Sequence, residues 1–147
     1  MYATPGDFGG KIADRGALFA SWIACHQLNV RDLFSGGKLA LQTGIERHHI
    51  LPRARFDRGS RNEADTIVNI SFISGDTNRA VSDDDPALYL AKVKADVLVS
   101  QCIPKDRSVW SINKAPEFWD LRRELLAEAF NAFLKEHLQA RRIGAKE

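Results

Sequence analysis

Residues 46–56 read ERHHILPRARF, and here two histidines, His48 and His49, stand side by side. The chain has only four histidines, and the other two, His26 and His137, are isolated and read as ordinary core or surface residues. An imidazole exchanges a proton near neutral pH, and its neutral nitrogen is a good metal donor. Five arginines (47, 53, 55, 58 and 61) surround the pair, with a single acid, Asp57, between residues 47 and 61. A cluster of this kind is either a solvated loop or a surface for phosphate, whose oxygens match the guanidinium fork. Hydrolysis of a phosphodiester needs a base to activate water, and a cation to offset charge on the phosphoryl oxygens and the departing 3′ oxygen. The histidine pair supplies a candidate for the base, and Asn69 and Asn78 stand downstream as two further polar residues.

The elements that must hold these residues are legible in outline. Ile12, Leu18, Phe19, Trp22, Ile23 and Leu28 fall near helical spacing and predict a helix over 11–28. Gly36 and Gly37 then break the chain. A short strand is expected over 45–51, ended by Pro52, which has no N–H for a ladder. After a polar loop, TIVNISFIS (66–74) carries the β-branched and aromatic residues of a second strand, so the two can pair as a hairpin. Ser74 or Asp76 is placed to cap a short helix with Asn78 and Arg79 in its first turns. Asp85 and Pro86 open another helix, expected over 86–100. Phe118, Leu121, Leu125, Leu126, Ala129, Phe130, Phe133, Leu134 and Leu138 recur at steps of three and four, predicting a core-facing helix over 116–142. Trp22, Trp110 and Trp119 are read as core.

Composition sets the class. A chain of 147 residues suits one domain with its own core, and 44% apolar with 27% charged residues is an ordinary globular balance. No run approaches a membrane span, and the start MYATPGDFGG lacks the pattern of a secretion signal, so a cytoplasmic protein without a membrane partner is expected. Cys25 and Cys102 have no CxxC partner and read as buried reduced thiols, which disfavours structural zinc. A net charge of +2 does not by itself announce nucleic acid; its uneven distribution is the informative feature.

The sequence HHILP, followed by NISFIS and DTNRAVSDDDPALYL, resembles the HNH nucleases, whose ββα-metal (His-Me) finger has this order of elements. The continuation CIPKDRSVW and FWDLRRELLAEAFNAFL is similar to the C-terminal nuclease domain of GmrSD-type modification-dependent restriction enzymes, and the resemblance covers roughly residues 15–138. It implies a mainly helical α+β fold in one domain spanning 1–147. The ββα-metal finger, a short antiparallel hairpin plus helix, would lie at about 45–82, surrounded by helices. It further implies His49 as general base, His48 and Asn78 as ligands of a divalent cation, Asn69 as a hydrogen-bonding residue that holds the loop or substrate, and Arg79 as a phosphate contact. With imidazole and an amide oxygen as donors, Mg²⁺ is the implied ion, and Mn²⁺ or Ni²⁺ are possible substitutes. Arg47, Arg53, Arg55, Arg58 and Arg61 would hold the DNA backbone, with affinity that falls as salt rises.

Two points stand against a simple transfer. Adjacent side chains on a regular strand point to opposite faces, so His48 and His49 should diverge unless the strand twists or ends there. The restriction enzymes also carry an N-terminal nucleotide-hydrolysing domain that senses DNA. No GxxxxGK[ST] loop occurs here, so the expectation is the nuclease part of a larger defence protein or a subunit working with a partner. The alternative is a non-catalytic nucleic-acid-binding module that keeps the scaffold and its arginines.

Overall fold

The strand IERHH (Ile45–His49, β1) is too polar to be stable alone; it forms because it pairs with a second strand that is almost wholly buried. That strand, ISFIS (Ile70–Ser74, β2), runs antiparallel to β1, with Glu46 opposite Ile73, His48 opposite Ser71 and His49 opposite Ile70. The computed structural model that shows this pairing describes residues 2–39 and 44–144. Around the two-stranded sheet are α1 (Arg15–Gln27), α2 (Gly75–Val81), α3 (Pro86–Tyr89), α4 (Ala95–Ser100) and α5 (Ala115–Gly144). The architecture is thus α+β and mainly helical.

Ile70, Phe72 and Ile73 of β2 are all buried, because helices cover the sheet, and each such side chain contributes about 1.5–3 kcal/mol. Phe72 meets Trp22 of α1 edge to face, with ring centres 4.9 Å apart. Arg122 of α5, fully buried, donates to the carbonyls of Val68 (2.8 Å) and Ile70 (2.7 Å) through Nη1, and to that of Gln101 (3.0 Å) through Nη2. This guanidinium ties the start of β2 and the end of α4 to α5. Cys25 and Cys102 are buried and unpaired by disulfide. Among the described residues, no helix is long and apolar enough to cross a membrane.

The expected elements are observed with three differences. The strand expected over 66–74 starts only at Ile70, because Ile67–Asn69 form a 3-10 turn that closes with Ile70 N–H on the Ile67 carbonyl. The helix expected over 86–100 is split: α3 passes into a 3-10 turn (Leu90–Lys92), and Val93 and Lys94 are extended before α4 begins. The bend lets Tyr89, Leu90, Val93, Val97 and Leu98 all reach the core, leaving Leu88 exposed. The stripe on α5 is core only over its first half. Phe118, Leu126 and Ala129 are buried, whereas Leu138 is exposed, because a helix of 30 residues, about 45 Å long, outruns the elements packed against it; Leu125, within the first half, is exposed as well.

Candidate functional site

β1 stops at His49, and the backbone that follows is held by one side chain. Asn69, fully buried, accepts from the Leu51 N–H through Oδ1 (2.9 Å) and donates through Nδ2 to the carbonyls of Leu51 and Ala64 (both 3.0 Å). The Asn69 carbonyl in turn accepts from the Ile50 N–H at 2.7 Å. Asn69 therefore clips the chain two residues after His49 to the chain one residue before Asp65. Of the two roles expected for Asn69, holding the loop and holding substrate, its geometry serves the first, since its amide atoms are spent on buried backbone and it does not line the cleft described below.

At this strand end the two histidines part, as strand geometry requires. His48 turns inward and is 4% exposed. Its Nε2 lies 3.3 Å from the Tyr89 hydroxyl, which donates its only proton to the Ile50 carbonyl. The hydroxyl can then only accept from the ring, so His48 carries its proton on Nε2 and presents an unshared pair on Nδ1. Burial pushes its pKa down to about 4, against the Asn78 side chain, which favours the charged form; a charge on His49 depresses it further. His48 is thus a neutral imidazole of fixed tautomer, the state a metal ligand requires.

His49 turns the other way. It is about one-third exposed, and its Nε2 lies 2.9 Å from Oδ1 of Asp65. The second oxygen of Asp65 accepts from Arg53 Nε at 3.3 Å, and Arg53 Nη2 donates to Oδ1 of Asn62 at 3.3 Å.

Asn78 reaches the same place from α2. Ser74 caps that helix, its hydroxyl accepting from the Thr77 N–H. Buried Asp32 fixes the junction by accepting from Ser74 N–H (2.7 Å), Ser35 N–H (3.0 Å) and the Thr77 hydroxyl. Burial pushes the Asp32 carboxyl up, but these donors together outweigh it and hold it below the usual carboxylate value. Asn78 donates through Nδ2 to Oε2 of Glu46 at 2.6 Å, leaving its amide oxygen free of that contact. Glu46 and His48 share a face of β1, two residues apart, so the glutamate sets the amide beside the imidazole.

A cleft of about 370 Å³ gathers these groups. His48, His49 and Asn78 line it with the guanidinium residues Arg47, Arg53 and Arg79, and Asp83 completes the wall. Arg79 is paired with Asp76 on the exposed surface of α2. Of the other arginines expected to hold DNA, Arg55 donates to the Asp83 carbonyl (2.6 Å), latching its loop to the end of α2, and Arg61 donates to the Phe56 carbonyl (3.4 Å). Arg58 is exposed and does not line the cleft. The structure therefore brings together His48, His49, Asn78, Arg47, Arg53 and Arg79, and sets Asn69, Arg55, Arg58 and Arg61 outside the lining.

Among the described residues, no three His, Cys, Asp or Glu side chains are grouped to hold a metal. The donor set at hand is the His48 imidazole and the Asn78 amide oxygen. Tyr89 engages Nε2 of the imidazole and Glu46 the Nδ2 of the amide, and the two side chains lie against each other, so these residues fit a divalent cation completed by water and phosphate oxygens. Four residues of the site escaped the reading of the sequence: Glu46, Asp65, Asp32 and Tyr89. Only Glu46, two residues before His48 on the expected strand, carried a signal that could have found it. No family model matches the chain, and no match appears among curated proteins or solved structures.

Proposed function

We propose that this protein is a metal-dependent DNA endonuclease of the HNH, ββα-metal type, hydrolysing phosphodiester bonds as the nuclease part of a modification-dependent restriction or phage-defence system. The observation that carries the reading is the single cleft in which a buried neutral histidine, a half-exposed histidine, an oriented amide and three guanidinium side chains converge. No one of these would suffice alone.

In this reading Arg47, Arg53 and Arg79 grip the phosphate backbone and set its register. His49 accepts a proton from the attacking water on its cleft-side nitrogen, and Asp65 steadies the resulting imidazolium. His48 and Asn78 would hold the divalent cation, which would supply charge to offset that on the phosphoryl and departing oxygens. The imidazole donor suits Ni²⁺, and the amide oxygen with water and phosphate oxygens suits Mg²⁺ or Mn²⁺. Contacts to phosphate carry no base information, so the DNA modification is sensed elsewhere, by a nucleotide-hydrolysing domain or partner subunit in the cytoplasm.

The test is nicking of supercoiled plasmid by the wild type and by His49→Ala, each in Mg²⁺, Mn²⁺, Ni²⁺ and EDTA. Relaxed circles are expected only from the wild type with metal, while His49→Ala still retards DNA in a salt-sensitive way. Intact plasmid in every lane, with retardation by both proteins, would overturn the nuclease reading in favour of a binding module. Cleavage by His49→Ala at the wild-type rate would overturn the assignment of the base.

A further inference from the structure

We infer that Asp65 is a positioning residue that fixes the tautomer of His49, and that Arg53 makes this choice one-sided. The inference rests on the reading of His49 as the general base.

The Asp65 carboxylate places one oxygen 2.9 Å from His49 Nε2 and the other 3.3 Å from Arg53 Nε. An ionised carboxylate only accepts, so a neutral ring facing it carries its proton on Nε2 and keeps an unshared pair on Nδ1. No hydrogen bond engages Nδ1 among the described residues, and the ring lines the cleft. The opposite tautomer would set a ring lone pair against the carboxylate and aim an N–H into the cleft, where a base cannot use it.

Asp65 also stands on a held arm. Its carbonyl accepts from the Ile12 N–H (3.2 Å) and its N–H donates to the Asn62 carbonyl (3.3 Å). Lys11 Nζ donates to that same Asn62 carbonyl at 2.9 Å, and Lys11 pairs with Thr66 in an isolated antiparallel bridge. The Asn69 clip to Ala64 fixes the residue before it. A half-exposed ion pair is worth little as a stabilising contact. One held from the backbone on both sides, with both oxygens assigned, is placed to set the direction of a ring.

Asp65→Asn separates these roles, because shape is retained and only the donor pattern changes. Arg53 can only donate, so it selects the new amide oxygen, and the NH₂ group must face His49 Nε2. That nitrogen then becomes the acceptor and the ring proton moves to Nδ1, which removes the base. Nitrogen-15 spectra of the histidine rings, recorded with Mg²⁺ where His49 is neutral, are expected to show the Nε2–H form in the wild type. The Nδ1–H form is expected in Asp65→Asn, and Nε2–H is expected again in Asp65→Asn with Arg53→Met, where the amide is free to turn. Nicking by Asp65→Asn should lose roughly 10²–10⁴-fold in kcat, the usual worth of a positioned base, with KM for plasmid and the affinity for Mn²⁺ unchanged.

A wild-type ring in the Nδ1–H form, or the same tautomer in wild type and Asp65→Asn, overturns the inference whether or not the protein cuts DNA. A changed tautomer with unchanged kcat overturns the role in base catalysis. Retention of Nδ1–H in the double variant overturns the part given to Arg53. If the wild type shows the expected tautomer yet nicks nothing, the nuclease reading fails and the Asp65–His49 arrangement stands.

Discussion

Asn69→Asp is the substitution that most directly tests how the site is held. The two side chains have nearly the same volume, so no cavity forms and the effect is confined to hydrogen bonding. The wild-type amide donates to two buried carbonyls, those of Leu51 and Ala64, each at 3.0 Å. In the variant the NH₂ becomes an oxygen: ionised, it leaves both buried carbonyls without a donor at about 1–3 kcal/mol each, and protonated, it serves one of them and leaves the other unsatisfied. Forcing the new carboxyl to stay protonated in a fully buried position adds to this. The total is about 3–5 kcal/mol, a large share of the roughly 5–15 kcal/mol that holds a domain together. Urea unfolding followed by tryptophan fluorescence reads it: with a slope of about 2 kcal/mol per molar for a domain of this size, the midpoint falls by roughly 2 M. Nicking and DNA retardation should decline together with the folded fraction, unlike the separation expected for His49→Ala. A midpoint within about 0.5 M of the wild type would correspond to a loss near 1 kcal/mol, and the clip would then not be what fixes this loop.

The buried histidine predicts an acid limb of stability. The unfolded chain takes up a proton on His48 near 6.5, while the folded chain resists it until about 4. Between these values the unfolded state binds more protons, so stability falls as pH drops, by up to about 3 kcal/mol across the window. Metal-free protein denatured at pH 7 and at pH 4.5 should show this, and a slope as steep in His48→Gln would assign the effect to another group. Glu46→Ala removes the acceptor that orients the Asn78 amide and should weaken Mn²⁺ binding roughly 10–100-fold by calorimetry, with Glu46→Gln nearer the wild type; equal affinities for all three proteins would rule the orientation out. Arg122→Ala strands the carbonyls of Val68, Ile70 and Gln101 and should cost about 3–5 kcal/mol in thermal or urea unfolding, and a loss under 1 kcal/mol would show that water replaces the guanidinium.

What the sequence made legible is local, and what it hid is long-range. The order of strand, loop, strand and short helix over 45–81 follows from β-branched runs, a proline stop and the Ser74 cap, all decided within a few residues of the element concerned. His48, His49 and Asn78 could be singled out by type and order. Their partners could not, because they lie far along the chain: His49 and Asp65 are 16 residues apart, Asn78 and Glu46 32, His48 and Tyr89 41, and Thr77 and Asp32 45. A carboxylate in a polar loop looks the same in sequence whether it faces solvent or an imidazole. The split of the helix expected over 86–100 was hidden for a related reason: an apolar face predicts burial, while only the position of the core decides whether the helix must bend to achieve it.

In the proposed function, the divergence of His48 and His49, which looked like an objection to a shared site, is what would let one strand serve two chemistries. A ligand must stay neutral and immobile, and burial beside Tyr89 provides this for His48. A base must meet water and change charge, which suits His49, half-exposed beside an ionised partner. Two residues on the same face of β1 would share one environment and could not satisfy both demands. Ending the strand directly after the pair, with Asn69 bonding to Leu51 on one side and Ala64 on the other, lets both side chains border one cleft while their far nitrogens are held by different elements. The clip thus joins the two arms of the base, His49 and Asp65, through backbone alone.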